Sequence, residues 1–540
     1  MMRLLAVFGG LLLCAAWLAF GMGVTASAGA HAIEPTLPKS LVATGIDWQP
    51  WSQESFAAAQ TSGRLVFLYL APPWCGPCVE MDRTTFNDPR IAKLLSDRYL
   101  PLRVDPMQRP EIASRYLLGA YPSCLVLTAS GDLVGGGGYL PPDSLKLLLD
   151  NIDQMWRYDA SLINDQADRV RKEFQANVDS LMRSAPSNVV LKKAEAALEE
   201  HYDNVYGGFG TQPKLALHDV NRFLFDVYAP SGEPLYLSIA ERTLRAQQKI
   251  MDPVWGGLYR YARFDDWTRP DHAKLLADNA LALRSYLDAY TVTGDSTYQE
   301  IAQSLLTYMN RFLRSEAGWG FFNSQQADLV TADSPVSGEE YFALNESERL
   351  ARGIPPVDSS LYADANCLAV QAYLHAARVL ECDDCREFAL ATLDRICTTA
   401  LRPNGAVYHD LENHGSAAVG LLEDQVALAA ALLDAYELTG KQNYLALTGQ
   451  VVDFMGRHLL DPRTGGLRDM EITEPTIGRL ALALHPFGTN CEAVKTLMRL
   501  HHITGDRIYF ELASPIVSYL FRAPTIVNDL RYYQLADTWL

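Results

Sequence analysis

Positive charge is in short supply in this chain. It sets 46 lysines and arginines against 64 aspartates and glutamates, a formal net charge of −18 over 540 residues. That balance argues against nucleic acid and anionic membrane surfaces as partners, because both are held by clustered Lys and Arg. Long apolar runs are nearly absent too. Beyond the stretch from Leu4 to Val24, nothing approaches the ~20 consecutive apolar residues that a membrane span needs, so the remainder reads as soluble. Lipid attachment at Cys14 would require a small residue before it, and Leu13 stands there instead.

What the N-terminus does have is one Arg, the apolar run, and then Ala26-Ser27-Ala28 and Ala30-His31-Ala32. That is the order of a secretory signal peptide over 1–32, with a mature chain starting near Ala30 or Ile33. The run is also long enough to stay as an uncleaved membrane anchor. The expected location is outside the cell or, in a bacterium, the periplasm. At 49% hydrophobic and 540 residues the chain exceeds what one core usually holds, so two domains are expected.

The stretch "LYLAPPWCGPCVEM" at 68–81 carries the clearest chemistry. A CxxC at the start of a helix exposes its first sulfur, and the helix dipole and unpaired N–H groups stabilise the thiolate. Cys75 is the candidate nucleophile, and Cys78, one turn on, is the resolving thiol. A structural disulfide or half of a zinc site are the plainer alternatives. Around the motif, "RLVFLYLA" is of strand length, "DPRIAKLLSDRY" has a helical apolar face, and "LPLRVDP" is a second buried strand. "YPSCLVLTASGDLVGGGGYL" gives two strands about a Gly131-Asp132 turn, and "DSLKLLLD" closes a βαβαββα order.

"WCGPC", "VDP", "PEIASRYLLGAYPSCLVLTASGDLVG" and the closing helix resemble the thioredoxin family over 47–152. The resemblance implies that Trp74 and Pro122 belong to the site, with Pro122 cis and set against the CxxC. Thioredoxin proper carries a buried Asp beneath the motif, and Leu68 aligns with it here. "CVEMDRTTFNDPRIAKLL" is instead similar to the periplasmic thioredoxin-like domain of the bacterial transmembrane disulfide reductase, in which an acid four residues after the second cysteine lies near the site. Asp82 holds that position, sharing a helix face with Cys78; a solvated helix acid is the other reading.

After a helical linker over 153–190, the chain becomes repetitive. Asp278, Asp424 and Thr489 each precede a Thr-Gly by 15 residues, and a tyrosine follows in "TGDSTY", "TGKQNY" and "TGDRIY". Glycine loops "YGGFG", "WGGLYRY", "GWGFFNS", "NGAVYHD" and "TGGLRD" interleave, and "ECDDC" marks a diverged copy. Segments such as 278–292 and 424–438 are apolar nearly all round, as inner helices are. The pattern predicts about twelve helices in a six-pair (α/α) toroid over 191–540. Asp278, Asp364 and Asp424 read as N-caps of inner helices.

"YGGFGTQPK", "GGLYRYARFDDWTRPDHAKLLADNALALRSYLDAYTVTGD" and "GEEYFAL" resemble the long thioredoxin-fused family that includes the spermatogenesis-associated thioredoxin-like protein. The resemblance implies a toroid related to glycosidases and N-acylglucosamine epimerases. The family motif "PHFEKMLYDNA" reads "PDHAKLLADNA" here: Lys274, Asp278 and Asn279 remain, Asp271 and Ala273 replace His and Glu, and Ala365-Asn366 replaces Trp-Asn. Lys274, Asp278, Asn279, Asp364, Asp424 and His485 are the candidate cavity residues, with His272 and His414 beside them. Trp255, Tyr259, Tyr261, Trp267, Trp319 and Phe321 are candidate sugar platforms or core.

The expectation is an α/β thioredoxin-like domain followed by an all-α toroid. Its activity would be thiol–disulfide exchange on a protein disulfide substrate, without cofactor or metal. Pro within the CxxC is typical of reductants, about −270 mV for thioredoxin against about −120 mV for the periplasmic oxidant. Such a reductant implies a membrane disulfide reductase as electron donor. The alternative is a carbohydrate-active or carbohydrate-binding toroid with an accessory thioredoxin domain. Asp383 and Asp384 disfavour thiolates at Cys382 and Cys385, so a short structural disulfide is expected there, a relay or metal site being the alternatives.

Overall fold

The computed structural model describes residues 45–161, 190–329, 336–415, 418–472 and 476–522, with 165, 169, 172 and 534. The expected signal peptide or anchor at 1–32 lies outside them, as does most of the expected linker. Among the described residues no helix is long and apolar enough to cross a membrane. The chain divides into two compact units: Met1–Val178 with Gly415–Ala418 and Asp469–Leu484, and the remainder.

In the first unit the elements run α1 Gln53–Ser62, β1 Leu65–Leu70, α2 Gly76–Arg83, α3 Pro89–Arg98, β2 Tyr99–Val104, α4 Pro110–Tyr116, β3 Ser123–Leu127, β4 Leu133–Gly137 and α5 Pro142–Tyr158. The sheet order is β2-β1-β3-β4, with β1 parallel to β2 and antiparallel to β3. β1 is buried at all six positions, which is why it reads as an unbroken apolar run. Trp48, Phe67, Tyr69 and Phe86 pack as an aromatic cluster on one face.

Residues 469–484, which come after a toroid hairpin in sequence, belong to this unit. A buried ion pair and the bonds around it tie them in. Arg115, in the last turn of α4, reaches both carboxylate oxygens of Asp469 at 2.7 and 3.1 Å, and both side chains are 1% exposed. The same guanidinium donates to the Arg479 and Leu482 carbonyls at 2.9 and 2.7 Å. Tyr116 donates to the Gly131 carbonyl at 2.6 Å and accepts from the Arg479 N–H at 3.0 Å.

The second unit opens with α6 Val190–His201 and then builds antiparallel pairs: α7 His218–Ser231 with α8 Pro234–Gln247, and α9 Leu276–Thr293 with α10 Ser296–Tyr308. Three more follow, making five pairs among the described residues: α11 Ala363–Val379 with α12 Asp383–Thr399, α13 Leu422–Thr439 with α14 Gln442–Phe454, and α15 Phe487–Thr504 with α16 Arg507–Leu520. The first helix of each pair packs on the first helix of the next, giving the inner layer of a toroid. Arg284 of α9 donates to Gln371 of α11 at 2.7 Å, and burial pushes its guanidinium down while Asp434 of α13 and Glu492 of α15 hold it up. The Thr-Gly turns are left-handed caps. Gly294, Gly440 and Gly505 sit at φ of 69°, 69° and 72°, a region glycine enters without steric cost.

His218, the first residue of α7, is buried, and among the described residues neither ring nitrogen has a hydrogen-bond partner. Burial alone lowers its pKa from 6.5 to about 4.

These contacts have measurable consequences. Asp469→Asn leaves Arg115 buried without its counter-charge and should cost the full chain about 3–5 kcal/mol in denaturant unfolding. For His218 the folded pKa lies below the unfolded one, so stability is intact above pH 6.5 and drains as pH falls towards 4, by about 3 kcal/mol in all. Unfolding curves of His218→Gln over this range should show a flatter acid limb than wild type.

Candidate functional site

Cys75 stands at the N-cap of α2 with an extended backbone, and its sulfur accepts the Cys78 N–H at 3.1 Å. Pro77 is tolerated in the first turn because no intrahelical bond is due there. The two cysteines are joined, S–S 2.02 Å, and the Tyr121-Pro122 bond is cis. Trp74 meets Tyr121 edge-on, ring centroids 5.8 Å apart, which sets the Tyr121-Pro122 dipeptide beside the motif. One expectation fails: Cys75 is not exposed. It keeps 3% of its surface and Cys78 1%, with Trp74 buried as well.

The resemblance to thioredoxin puts Leu68 beneath the CxxC, but Tyr69 is the residue that reaches it, donating from its hydroxyl to the Cys78 carbonyl at 3.1 Å. Successive strand residues point to opposite faces, so a one-residue difference exchanges the side chain under the site. Nor is Asp82 a solvated helix acid. It is 2% exposed and takes both arms of Arg103 from β2, at 2.6 and 2.8 Å. Burial raises the Asp82 carboxyl and Arg103 pulls it back. Arg103 also lies over the Tyr69 ring, 5.1 Å from its centroid. A charged residue inside the apolar run "LPLRVDP" is the sequence signal that marks it. Cys124, two residues past Pro122, is a core thiol whose pKa burial pushes up.

In the toroid the six candidates separate. Lys274 is fully buried, bonded to Asp252 and the Gly256 carbonyl at 2.8 Å each, and Asp252 also binds Arg349 at 2.7 Å. Asn279 takes the Leu258 N–H at 2.7 Å and donates to the Leu258 and Leu275 carbonyls. His485 is tied to Asp461 and Thr464, each at 3.1 Å. These three are bonded into the hairpin architecture. Asp203, Asp252 and Asp461 recur at the base of glycine hairpins, each accepting a backbone N–H two residues on and each paired with a basic side chain, Lys214, Lys274 and His485.

Asp278, Asp364 and Asp424 are not N-caps. The caps are Leu275, Tyr362 and Leu421, none with a side-chain cap bond, and the acids sit inside the first turn. Asp278 is half-buried and burial raises it to about 6. Asp364 is part-exposed, and buried Asp424 accepts the Asp364 N–H at 3.0 Å. His409, which no sequence motif singles out, joins them: its Nδ1 lies 3.0 Å from Asp424 and 4.0 Å from Asp364. His272 stacks on Phe342 and His414 on Tyr408. Trp255, Tyr259, Trp267 and Phe321 are buried core and offer no sugar platform, while Tyr261 and Trp319 are half-buried. Cys382 and Cys385 are disulfide-bonded at the start of α12.

Residues 36–175 match the family model Thioredox_DsbH, described as "Protein of unknown function, DUF255". Spermatogenesis-associated protein 20 of Homo sapiens is 27% identical over 309 residues, covering 52% of this chain and 39% of that protein. The chain is homologous to spermatogenesis-associated protein 20. The Rattus norvegicus protein is 26% identical over 341 residues, 59% of this chain and 41% of that one, so the match spans about two-fifths of these relatives' length. Among solved structures, a D-mannose isomerase aligns with TM-score 0.49 at 13% identity, covering 67% of this chain and 96% of that one. Cellobiose 2-epimerase from Bacillus thermoamylovorans aligns with TM-score 0.47 at 15% identity, covering 62% and 87%.

The buried roles separate Asn279 from its neighbour. Asn279→Ala orphans three backbone groups and should cost about 3 kcal/mol or more, whereas Asp278→Ala removes a carboxylate that burial disfavours and should leave the unfolding midpoint unchanged or higher. Chemical denaturation of the two variants measures this.

Proposed function

We propose that the first unit is a thiol–disulfide oxidoreductase acting on protein disulfides. The single observation that carries this reading is the Cys75–Cys78 pair at the N-terminus of α2, with the first sulfur already accepting a helix N–H. The Cys78 N–H that the sulfur accepts and the positive end of the helix dipole favour negative charge at that point, so a thiolate is stabilised there. The Asp82–Arg103 pair behind α2 leaves the helix with a neutralised acid, so a full negative charge does not oppose the thiolate.

In the reduced protein the Cys75 thiolate attacks one sulfur of the partner disulfide, forming a mixed disulfide and expelling the other sulfur, which takes a proton. The Cys78 thiolate then attacks the Cys75 sulfur, freeing the partner's second thiol and closing Cys75–Cys78. Two electrons pass to the partner, and an external dithiol must return them. A membrane disulfide reductase supplies them in this reading, with the protein outside the cytoplasm. The toroid serves as scaffold or binding surface, consistent with the architectural roles of Lys274, Asn279 and His485.

The test is reduction of insulin disulfides by the full chain with dithiothreitol as donor. Wild type should accelerate precipitation and Cys75→Ser should lose all acceleration. Activity undiminished in Cys75→Ser, or none in wild type, removes the assignment. Equilibration of the Cys75–Cys78 pair with glutathione buffers then decides between reductase and oxidase.

A further inference from the structure

We propose that Asp364, His409 and Asp424 bind one divalent first-row metal cation in the toroid. The site lies wholly within the second unit and does not depend on the thiol chemistry. Its ligand atoms all fall within 4.8 Å of one another. They come from three elements: the first turn of α11, the first turn of α13, and the chain just beyond the glycine hairpin at Gly405.

The separations suit a shared ion. A cation about 2.0–2.2 Å from imidazole nitrogen and carboxylate oxygen sets neighbouring donors about 3 Å apart at a right angle and about 4 Å apart at a wide one. Nδ1 of His409 lies 3.0 and 3.2 Å from the two Asp424 oxygens and 4.0 Å from Asp364. The donors are also held in place by their surroundings, as metal ligands are by a second layer of contacts. The His409 ring stacks flat on Tyr362, centroids 4.9 Å apart at 10°, and its carbonyl accepts the Ala363 N–H at 2.8 Å. Asp424 Oδ1 is oriented by the Asp364 N–H at 3.0 Å.

Charge points the same way. Two carboxyl groups are brought together here, and the helix N-termini beneath them offset only about +0.5 each. Asp424 is fully buried and Asp364 31% exposed, so the charge is held in a low-dielectric place with one open side for an ion to enter. Two carboxylates with one imidazole suit Mn²⁺, Fe²⁺ or Zn²⁺. Ca²⁺ asks for six to eight oxygens, more than are gathered here. Three protein donors leave positions for water or a ligand.

Manganese is the probe, because it has little affinity for the cysteines. Titration of the full chain with Mn²⁺, followed by loss of the free-ion electron paramagnetic resonance signal, should show one ion bound per chain and displaced by Zn²⁺. Asp364→Asn, altered at a part-exposed side chain, should weaken binding at least tenfold while its circular dichroism melt stays that of wild type. Asp424→Asn should abolish binding. No stoichiometric ion in wild type, or equal affinity in Asp364→Asn, overturns the proposal; a change of melting in Asp424→Asn with no effect of metal on wild type would show a hydrogen-bonded His–Asp pair only.

Discussion

A carboxamide in the first turn of four inner helices, α9, α11, α13 and α15, holds the toroid's repeats together. Asn279, Asn366 and Asn490 each take both backbone groups of one hairpin residue, Leu258, Phe321 and Leu467, and Gln425 does the same work for Val407 and Gly405. Hairpin backbone that runs into a core has no water to bond, so each group must find a partner in the protein. A clamped hairpin also fixes the direction of the chain leaving it. Two residues beyond each clamped position stand Arg260, Asn323, His409 and Asp469, so one structural repeat delivers a polar side chain to the helix ends over and over.

Those four residues have gone separate ways. Arg260 eases the Asp278 carboxyl that burial raises, and Asn323 binds Asp358 at 3.0 Å. His409 meets two carboxylates, and Asp469 joins Arg115 in the other unit's core. The same rule governs both units: a charge taken out of water keeps a counter-charge. Beneath the CxxC it is met by Arg103 and Asp82, both on elements that also form the sheet and the motif helix.

Much of this is legible in the sequence, and the misses have physical causes. Apolar runs, Thr-Gly caps and glycine loops report on periodicity and backbone conformation, which are local, so the elements and their repeats can be read. The CxxC can be read because its chemistry is tied to spacing, and Pro122 and Asp82 are reached through the family resemblances. Arg103 cannot, because its partner lies 21 residues away and only the fold joins them. Lys274 and Asn279 look like cavity residues because they persist within a motif; they persist beside a hairpin that needs them. Tyr69 is missed by one place, which in a strand exchanges one face for the other.

The Arg115–Asp469 pair also sets a clock on biosynthesis. Its partners are separated by 354 residues, and a ribosome adding about 5–20 residues per second needs about 20–70 s to cover that distance. For that interval the emerging thioredoxin sheet carries an arginine whose pocket is half built. The unit that is first in sequence is therefore among the last to be completed, and a chain truncated before residue 469 lacks part of its first unit as well as the end of its second.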